Sequence, residues 1–342
     1  MCGPTLPGRG PAGQVLPVSP VRKRRPRLTD FLNYLILGLT RGSVYALIAL
    51  GYTLVYGVLQ LINFAHSEVF MSGAFGSFLL VHFLVGDGKG TSGVEAVFVV
   101  LAGLLSGALT GAIVAYVLER VAYRPLRRRG APKLAFLISA IGASFLLSQL
   151  FGKLFNRLGN NNFPTYFDKN TVLFRVGGAH VTLLQGMIIV AALVLMLFLD
   201  RLVSGTKLGR SIRATAEDAP TAALMGVDID KTISRTFLIG GALAGAAGFL
   251  FGTAFVFSNT MGFIPGIKAF AAAVLGGIGN IRGAMIGGLL LGVVENLIPT
   301  APWTGTPWIG IQWTDVVGFV ILILILVLRP TGILGERLGR AA

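Results

Sequence analysis

Apolar blocks long enough, or nearly long enough, to cross a bilayer recur along the chain. They fall at about 31–58, 69–85, 94–118, 134–151, 181–199, 236–257, 267–281, 283–298 and 315–328. A helix rising 1.5 Å per residue crosses the ~30 Å hydrocarbon core with about 20 residues. The pattern therefore predicts an all-α, polytopic transmembrane helical bundle of about eight to nine membrane segments, some of them broken or re-entrant. The shorter blocks around 267–298 are expected to be half-helices joined within the protein interior.

Composition agrees with this reading. Of 342 residues, 54% are hydrophobic and only 13% charged, whereas a soluble domain carries roughly 25% charged residues. Too little polar surface is available to face water all round, so lipid must solvate much of the exterior. The single cysteine, Cys2, offers no disulfide framework. Residues 1–28 are rich in Pro and Gly and end in Arg22-Lys23-Arg24-Arg25-Pro26-Arg27. They are expected to form a disordered basic tail, acting as a solvated topology anchor or arising from a misassigned start. A signal peptide would show a short apolar core and a small-residue cleavage site. The membrane domain then occupies 29–335, with a C-terminal tail at 336–342.

A formal charge of +15 in a soluble protein would suggest nucleic acid. Here the basic residues sit between apolar blocks, where cytoplasmic loops collect Lys and Arg, so no nucleic-acid partner is expected. The 119–133 loop holds Arg120, Arg124, Arg127, Arg128, Arg129 and Lys133, and the 200–235 loop holds Arg201, Lys207, Arg210, Arg213, Lys231 and Arg235. With Arg329, Arg337 and Arg340 in the tail, these mark the cytoplasmic side. The 152–180 loop, two spans from each, is external. Parity leaves two alternatives for the N-terminus. Either 31–62 is broken near Arg41-Gly42, or the basic tail lies outside.

Glycines four residues apart (Gly103, Gly107 and Gly111; Gly241 and Gly245; Gly279, Gly283 and Gly287; Gly288 and Gly292) predict close helix crossings, because small residues let backbones approach in lipid. Such packing is general and names no function.

Three stretches carry chemistry. In the 200–235 loop, Glu217 and Asp218 precede a compact segment in which Asp218 is a candidate N-cap, Pro220 suits the first turn and Gly226 suits the stop. The helix expected there is about two turns long, with Ala222, Ala223 and Met225 forming a nearly uncharged face. Too short to stand alone, it needs a partner surface; the alternative is a solvated connector. No GxxxxGK[ST] phosphate-binding loop occurs in the sequence. In the second stretch, Asn63, His66 and Glu68 interrupt apolar surroundings. Ionisable groups inside a membrane usually face a cavity or a partner, so these either line a path or brace a broken helix. Glu295 and Asn296 either line that path or mark the external end of a span. His82 and His180 are incidental, no metal-ligand spacing is present, and no nucleophile–base set suggests an enzyme.

Together these stretches resemble the branched-chain amino acid permeases of ATP-binding-cassette importers, the LivH type. Ile62-Asn63-Phe64-Ala65-His66-Ser67-Glu68 is similar to that family's INFAHGE signature, with Ser67 in place of glycine. Residues 207–227 resemble its ATPase-coupling segment. The run from Gly262 through Gly276-Gly277-Ile278-Gly279-Asn280-Ile281-Arg282 to Glu295, and the ending Arg329-Pro330-Thr331-Gly332, also match, with Arg282 where proline is common. The resemblance covers nearly everything after residue 30. It implies a multi-pass subunit of the bacterial inner membrane that binds no cofactor itself, while ATP and Mg are bound by two cytoplasmic ATPase subunits. It also implies a second homologous permease subunit and a periplasmic amino-acid-binding protein. Importers of urea or short-chain amides use similar subunits and stay open as an alternative. A stand-alone secondary transporter or channel would show inverted repeats, and none is convincing here.

Overall fold

The computed structural model describes residues 28–86, 94–158, 171–176, 178–255, 257–300, 313–329 and 331–335. Cys2, the rest of the N-terminal tail and residues 336–342 lie outside the described residues. Among those described, seven helices are long and apolar enough to cross a membrane. They are α1 (Leu28–Leu59), α2 (His66–Val85), α3 (Val94–Leu118) with its continuation, α5 (Lys133–Leu158), α6 (Leu183–Gly205), α9 (Ile229–Ala254) and α11 (Ile281–Thr300). α3 runs through a π-helical turn, Glu119–Tyr123, into the short α4 (Arg124–Arg128). Two shorter apolar helices, α10 (Phe263–Gly276) and α12 (Thr314–Leu328), complete the membrane part. The helical bundle expected from the sequence is present; among the described residues it has seven helices long and apolar enough to cross and two shorter apolar ones. One antiparallel hairpin, β1 (Val172–Val176) and β2 (Ala179–Thr182), departs from an all-α fold.

α1, α2 and α9 form the interior, and glycines set their spacing. Gly73 of α2 and Gly107 and Gly111 of α3 all approach Gly245 of α9 so closely that a Cβ there would collide with backbone. On the other side Gly288 and Gly292 of α11 press against Ala46 and Gly42 of α1. Van der Waals contact between bare backbones replaces the hydrophobic drive that lipid cannot supply.

α1 is continuous through Arg41 and Gly42, so the break considered there does not exist. Gly42 instead admits α11, since a Cβ on it would fall 2.9 Å from Leu289 Cα. The helix begins beside the hairpin, where His180 N–H donates to Asn33 Oδ1 at 3.3 Å. It ends beside the basic stretch, where Gln60 Nε2 donates to the Ala216 carbonyl at 3.3 Å. The chain therefore enters α1 at the end opposite the basic loops.

The stretch read as a 200–235 loop is helical almost throughout. α6 continues to Gly205, followed by α7 (Lys207–Glu217), the six-residue α8 (Ala219–Leu224) and then α9. Thr206 caps α7 by accepting from Gly209 N–H at 3.1 Å, and the Arg213 guanidinium donates to the Val203 carbonyl at the end of α6. These two contacts cap the end of α6 and the start of α7, so the turn between them is held at both sides.

The expectation for 267–298 needs correction. Only α10 is half-length; α11 runs the full 20 residues. Their junction is at the basic end of the bundle rather than in its interior. There Gly277 and Gly279 take φ of +106° and +94°, and residues 331–335 cover the turn through Ile333 N–H to the Leu275 carbonyl at 2.8 Å.

Candidate functional site

After α1 the chain turns back into the bundle before α2 begins. The turn is held by Asn63, whose Oδ1 accepts from Ala65 N–H at 3.1 Å and from the Tyr123 hydroxyl at 2.7 Å. Tyr123 is delivered by the π-helical turn after α3, a local bulge of the kind that re-aims a side chain. His66, the first residue of α2, stands edge-on to Tyr52 with ring centroids 4.7 Å apart. It fits because position 51 is glycine, where a Cβ would fall 2.6 Å from His66 Cε1. α10 begins at the same depth. Gly266 lies against Ser67, and a Cβ on it would come 3.3 Å from Ser67 Cα.

Glu68 follows in the first turn of α2, with Oε1 accepting from the Ser144 hydroxyl of α5 at 3.3 Å. Asn63, His66 and Glu68 are all buried. Asn63 is committed to bracing the turn, whereas the carboxylate of Glu68 points away from it toward α5.

Glu295 and Asn296 lie near the C-terminal end of α11, and both are buried. Glu295 Oε1 pairs with Lys268 Nζ of α10 at 2.6 Å, and Asp315 of α12 meets the same ammonium at 2.6 Å. Lys268 also lies 5.7 Å from the Tyr45 ring centroid of α1. Asn296 Nδ2 donates back to the Gly292 carbonyl at 2.8 Å. The cluster ties the half-helix α10 to three neighbours. Lys268, Asp315 and Tyr45 were not singled out from the sequence; a lone lysine inside an apolar block is the signal that could have found Lys268.

At the basic end, a second cluster joins α4 to α9. Asp230 accepts from Arg127 at 2.6 Å, from Arg124 at 3.0 Å and from Arg128 at 3.2 Å. Glu119 accepts from Arg127 at 3.2 Å and from the Ser234 hydroxyl at 2.8 Å. These arginines carry structure as well as topology. Beside them, Asp228 accepts from Lys231 N–H and pairs with its ammonium at 2.9 Å, which together hold this carboxyl below the usual carboxylate range.

α8 projects from this end, and the expected face needs correction. Ala222 is buried, so it does not face outward; Ala223, Leu224 and Met225 do, the last two 88% and 81% exposed. The helix is six residues long, close to the two turns expected, with Pro220 in its first turn as expected. Asp218 holds the N-cap position, yet its carboxylate accepts from the Thr221 hydroxyl instead of a backbone N–H. Gly226 takes φ +85° and ends the helix, and Val227 N–H returns to the Ala222 carbonyl at 3.0 Å. Glu217 closes α7 and lines an open cleft of about 700 Å³ with Tyr56, Gln60, Asp200, Arg213 and Arg282. Arg282 pairs with Asp200 across the cleft at 3.1 Å.

Known proteins resemble this chain along nearly its whole length. A family model described as branched-chain amino acid transport system / permease component matches residues 34–326. The chain is 42% identical over 315 residues to the high-affinity branched-chain amino acid transport system permease protein BraD of Pseudomonas aeruginosa, covering 91% of this chain and 98% of that protein. It is 41% identical over 309 residues to the corresponding permease protein LivH of Escherichia coli K12 and to that of Salmonella typhimurium LT2, in each case covering 90% of this chain and 96% of the relative.

Proposed function

The chain belongs to the family of branched-chain amino acid transport system permease components, and from that premise we propose that it is the membrane-spanning permease subunit of an ATP-binding-cassette importer for branched-chain amino acids in the bacterial inner membrane. It pairs with a second homologous permease subunit. Two cytoplasmic ATPase subunits bind ATP and Mg, and a periplasmic binding protein delivers the amino acid. The observation that carries the coupling role is α8. A membrane protein that presents Leu224 and Met225 to water, at 88% and 81% exposure, on a helix too short to fold alone, supports a docking contact there. Glu217, Asp218, Pro220, Ala223 and Gly226 shape that contact, and Ala222 anchors it from behind.

Reconstitution tests the reading. The chain is purified with its ATPase and permease partners, placed in liposomes with the binding protein, and assayed for leucine uptake. ATP-dependent uptake that follows binding-protein concentration is expected. Uptake at full rate with no nucleotide would overturn the ATP-coupled mechanism, and uptake of urea in place of leucine would reassign the cargo.

A further inference from the structure

Three carboxylates are buried among the described residues, Glu68, Glu119 and Glu295. Two of them have cations, Arg127 for Glu119 at 3.2 Å and Lys268 for Glu295 at 2.6 Å. Glu68 has none among the described residues. Its Oε1 receives only the Ser144 hydroxyl, and its Oε2 is buried without a partner. Burying an ionised carboxylate without a cation is among the costliest arrangements in a protein interior, and in membranes it is kept where a transported ion or group is met.

The surroundings narrow the ligand. Ser144 lies about 16 Å along α5 from Lys133, roughly half of the ~30 Å hydrocarbon core, so the carboxylate stands near mid-membrane. Along the same face of α5, Ser148 donates to the Asn259 carbonyl at 3.3 Å, and Gly152 leaves room for the Asn259 amide, where a Cβ would sit 2.8 Å from Nδ2. Positions 144, 148 and 152 repeat every fourth residue, which places hydroxyl, hydroxyl and glycine in one line. Polar contacts therefore line α5 where it meets α2 and the segment joining α9 to α10, with one negative charge and, among the described residues, no positive one. Such a lining suits a primary ammonium group accompanied by groups that hydroxyls and amides can hydrogen-bond.

Building on the importer reading, we propose that Glu68 is the intramembrane receptor for the α-ammonium group of the transported amino acid, with Ser144 and Ser148 completing that subsite. The unpartnered Oε2 is the atom that accepts the ammonium, and Ser144 fixes the carboxylate through Oε1.

The test uses the assembled permease–ATPase complex in liposomes. Glu68→Gln keeps shape and the Ser144 contact but removes the charge. Leucine uptake is expected to fall at least tenfold in a complex that still assembles, and Glu68→Asp is expected to recover part of the loss. Uptake by Glu68→Gln at the wild-type rate would overturn the proposal. As a second measurement, direct binding to the complex without its binding protein compares leucine with 4-methyl-2-oxopentanoate, which keeps the carboxylate and side chain but lacks the ammonium. Preference for leucine by wild type, lost in Glu68→Gln, is expected; equal binding of both by wild type would overturn it. Should Glu68→Gln fail to assemble, Ser144→Lys supplies a permanent internal ammonium and is expected to abolish uptake in an assembled complex, whereas wild-type uptake by that variant would overturn the proposal. A wild-type complex that imports no amino acid removes the functional reading itself, and this subsite with it.

Discussion

Replacing Lys268 by methionine isolates the energetics of the intramembrane ion cluster. The substitution preserves most of the side chain's volume and removes the ammonium that meets Glu295 and Asp315, each at 2.6 Å. The two carboxylates are not equivalent, since Glu295 is 1% exposed at its side chain and Asp315 is 53% exposed. Leaving one buried partner uncompensated costs about 3–5 kcal/mol, whereas loss of a half-exposed pair costs about 0–1 kcal/mol. Lys268→Met should therefore destabilise by about 3–5 kcal/mol, with Asp315→Asn contributing no more than ~1 kcal/mol. At about 1.4 kcal/mol per decade, that lowers the folded-to-unfolded ratio by roughly two to three and a half orders of magnitude.

The assay is reversible unfolding in mixed micelles titrated with SDS and followed by far-UV circular dichroism. A double-mutant cycle supplies the decisive comparison. In the Lys268→Met background, Glu295→Gln removes the orphaned charge and should recover most of the loss, giving a coupling of about 2 kcal/mol or more. Additive losses in the double variant, or a Lys268→Met penalty no larger than that of Asp315→Asn, would refute the argument that burial decides which member of the cluster matters.

Other expected outcomes follow from single features of the fold. Leu224→Asp with Met225→Asp should leave the protein in the membrane but abolish stimulation of ATP hydrolysis by the loaded binding protein, whereas Ala222→Arg should lower the amount of folded protein, because that side chain is buried; flux assays and membrane immunoblots separate the two effects. Asp230→Ala strips the shared acceptor from Arg124, Arg127 and Arg128 and should open residues 124–132 to limited trypsin digestion, which wild type resists. Gly245→Leu should prevent folding by parting α9 from α2 and α3, while Gly142→Leu, where nothing lies within 4 Å, should be tolerated; detergent size-exclusion profiles compare them.

Much of the bundle could be read in the sequence because its determinants are local. A run of apolar residues reports a span, and glycines four apart report a crossing, as Gly107, Gly111 and Gly245 show. Junctions depend on partners distant in sequence and were harder to read. Nothing near residue 200 announces that Arg213 will cap α6, or that α7 will form where a loop was expected. The face of α8 was misjudged for the same reason. A six-residue segment carries too few positions to define a stripe, and only packing against neighbours such as α7 and α9 decides that Ala222 turns inward. For the site, the polar interruptions at Asn63, Glu68 and Glu295 were visible individually, but their partners Tyr123, Ser144 and Lys268 lie at least 27 residues away. Single ionisable residues in lipid can be located from sequence, whereas their neutralisation depends on the fold.

The placement of those partners also determines how force at the basic end reaches the membrane interior. A load applied at Leu224 and Met225 would reach α7 and the start of α9, because α8 packs directly on both. Asp230, two residues into α9, is gripped by three arginines of α4, so α9 and the end of α3 are driven together. Backbone contact at Gly245 then carries the displacement to Gly73 of α2 and Gly107 of α3 without side chains that could yield. Close-packed interfaces transmit small shifts rather than absorbing them. Between α5 and this block, the described polar ties are two hydrogen bonds of 3.3 Å, Ser144 to Glu68 and Ser148 to Asn259. Relative motion should therefore concentrate at these longer bonds, where the uncompensated carboxylate of Glu68 lies.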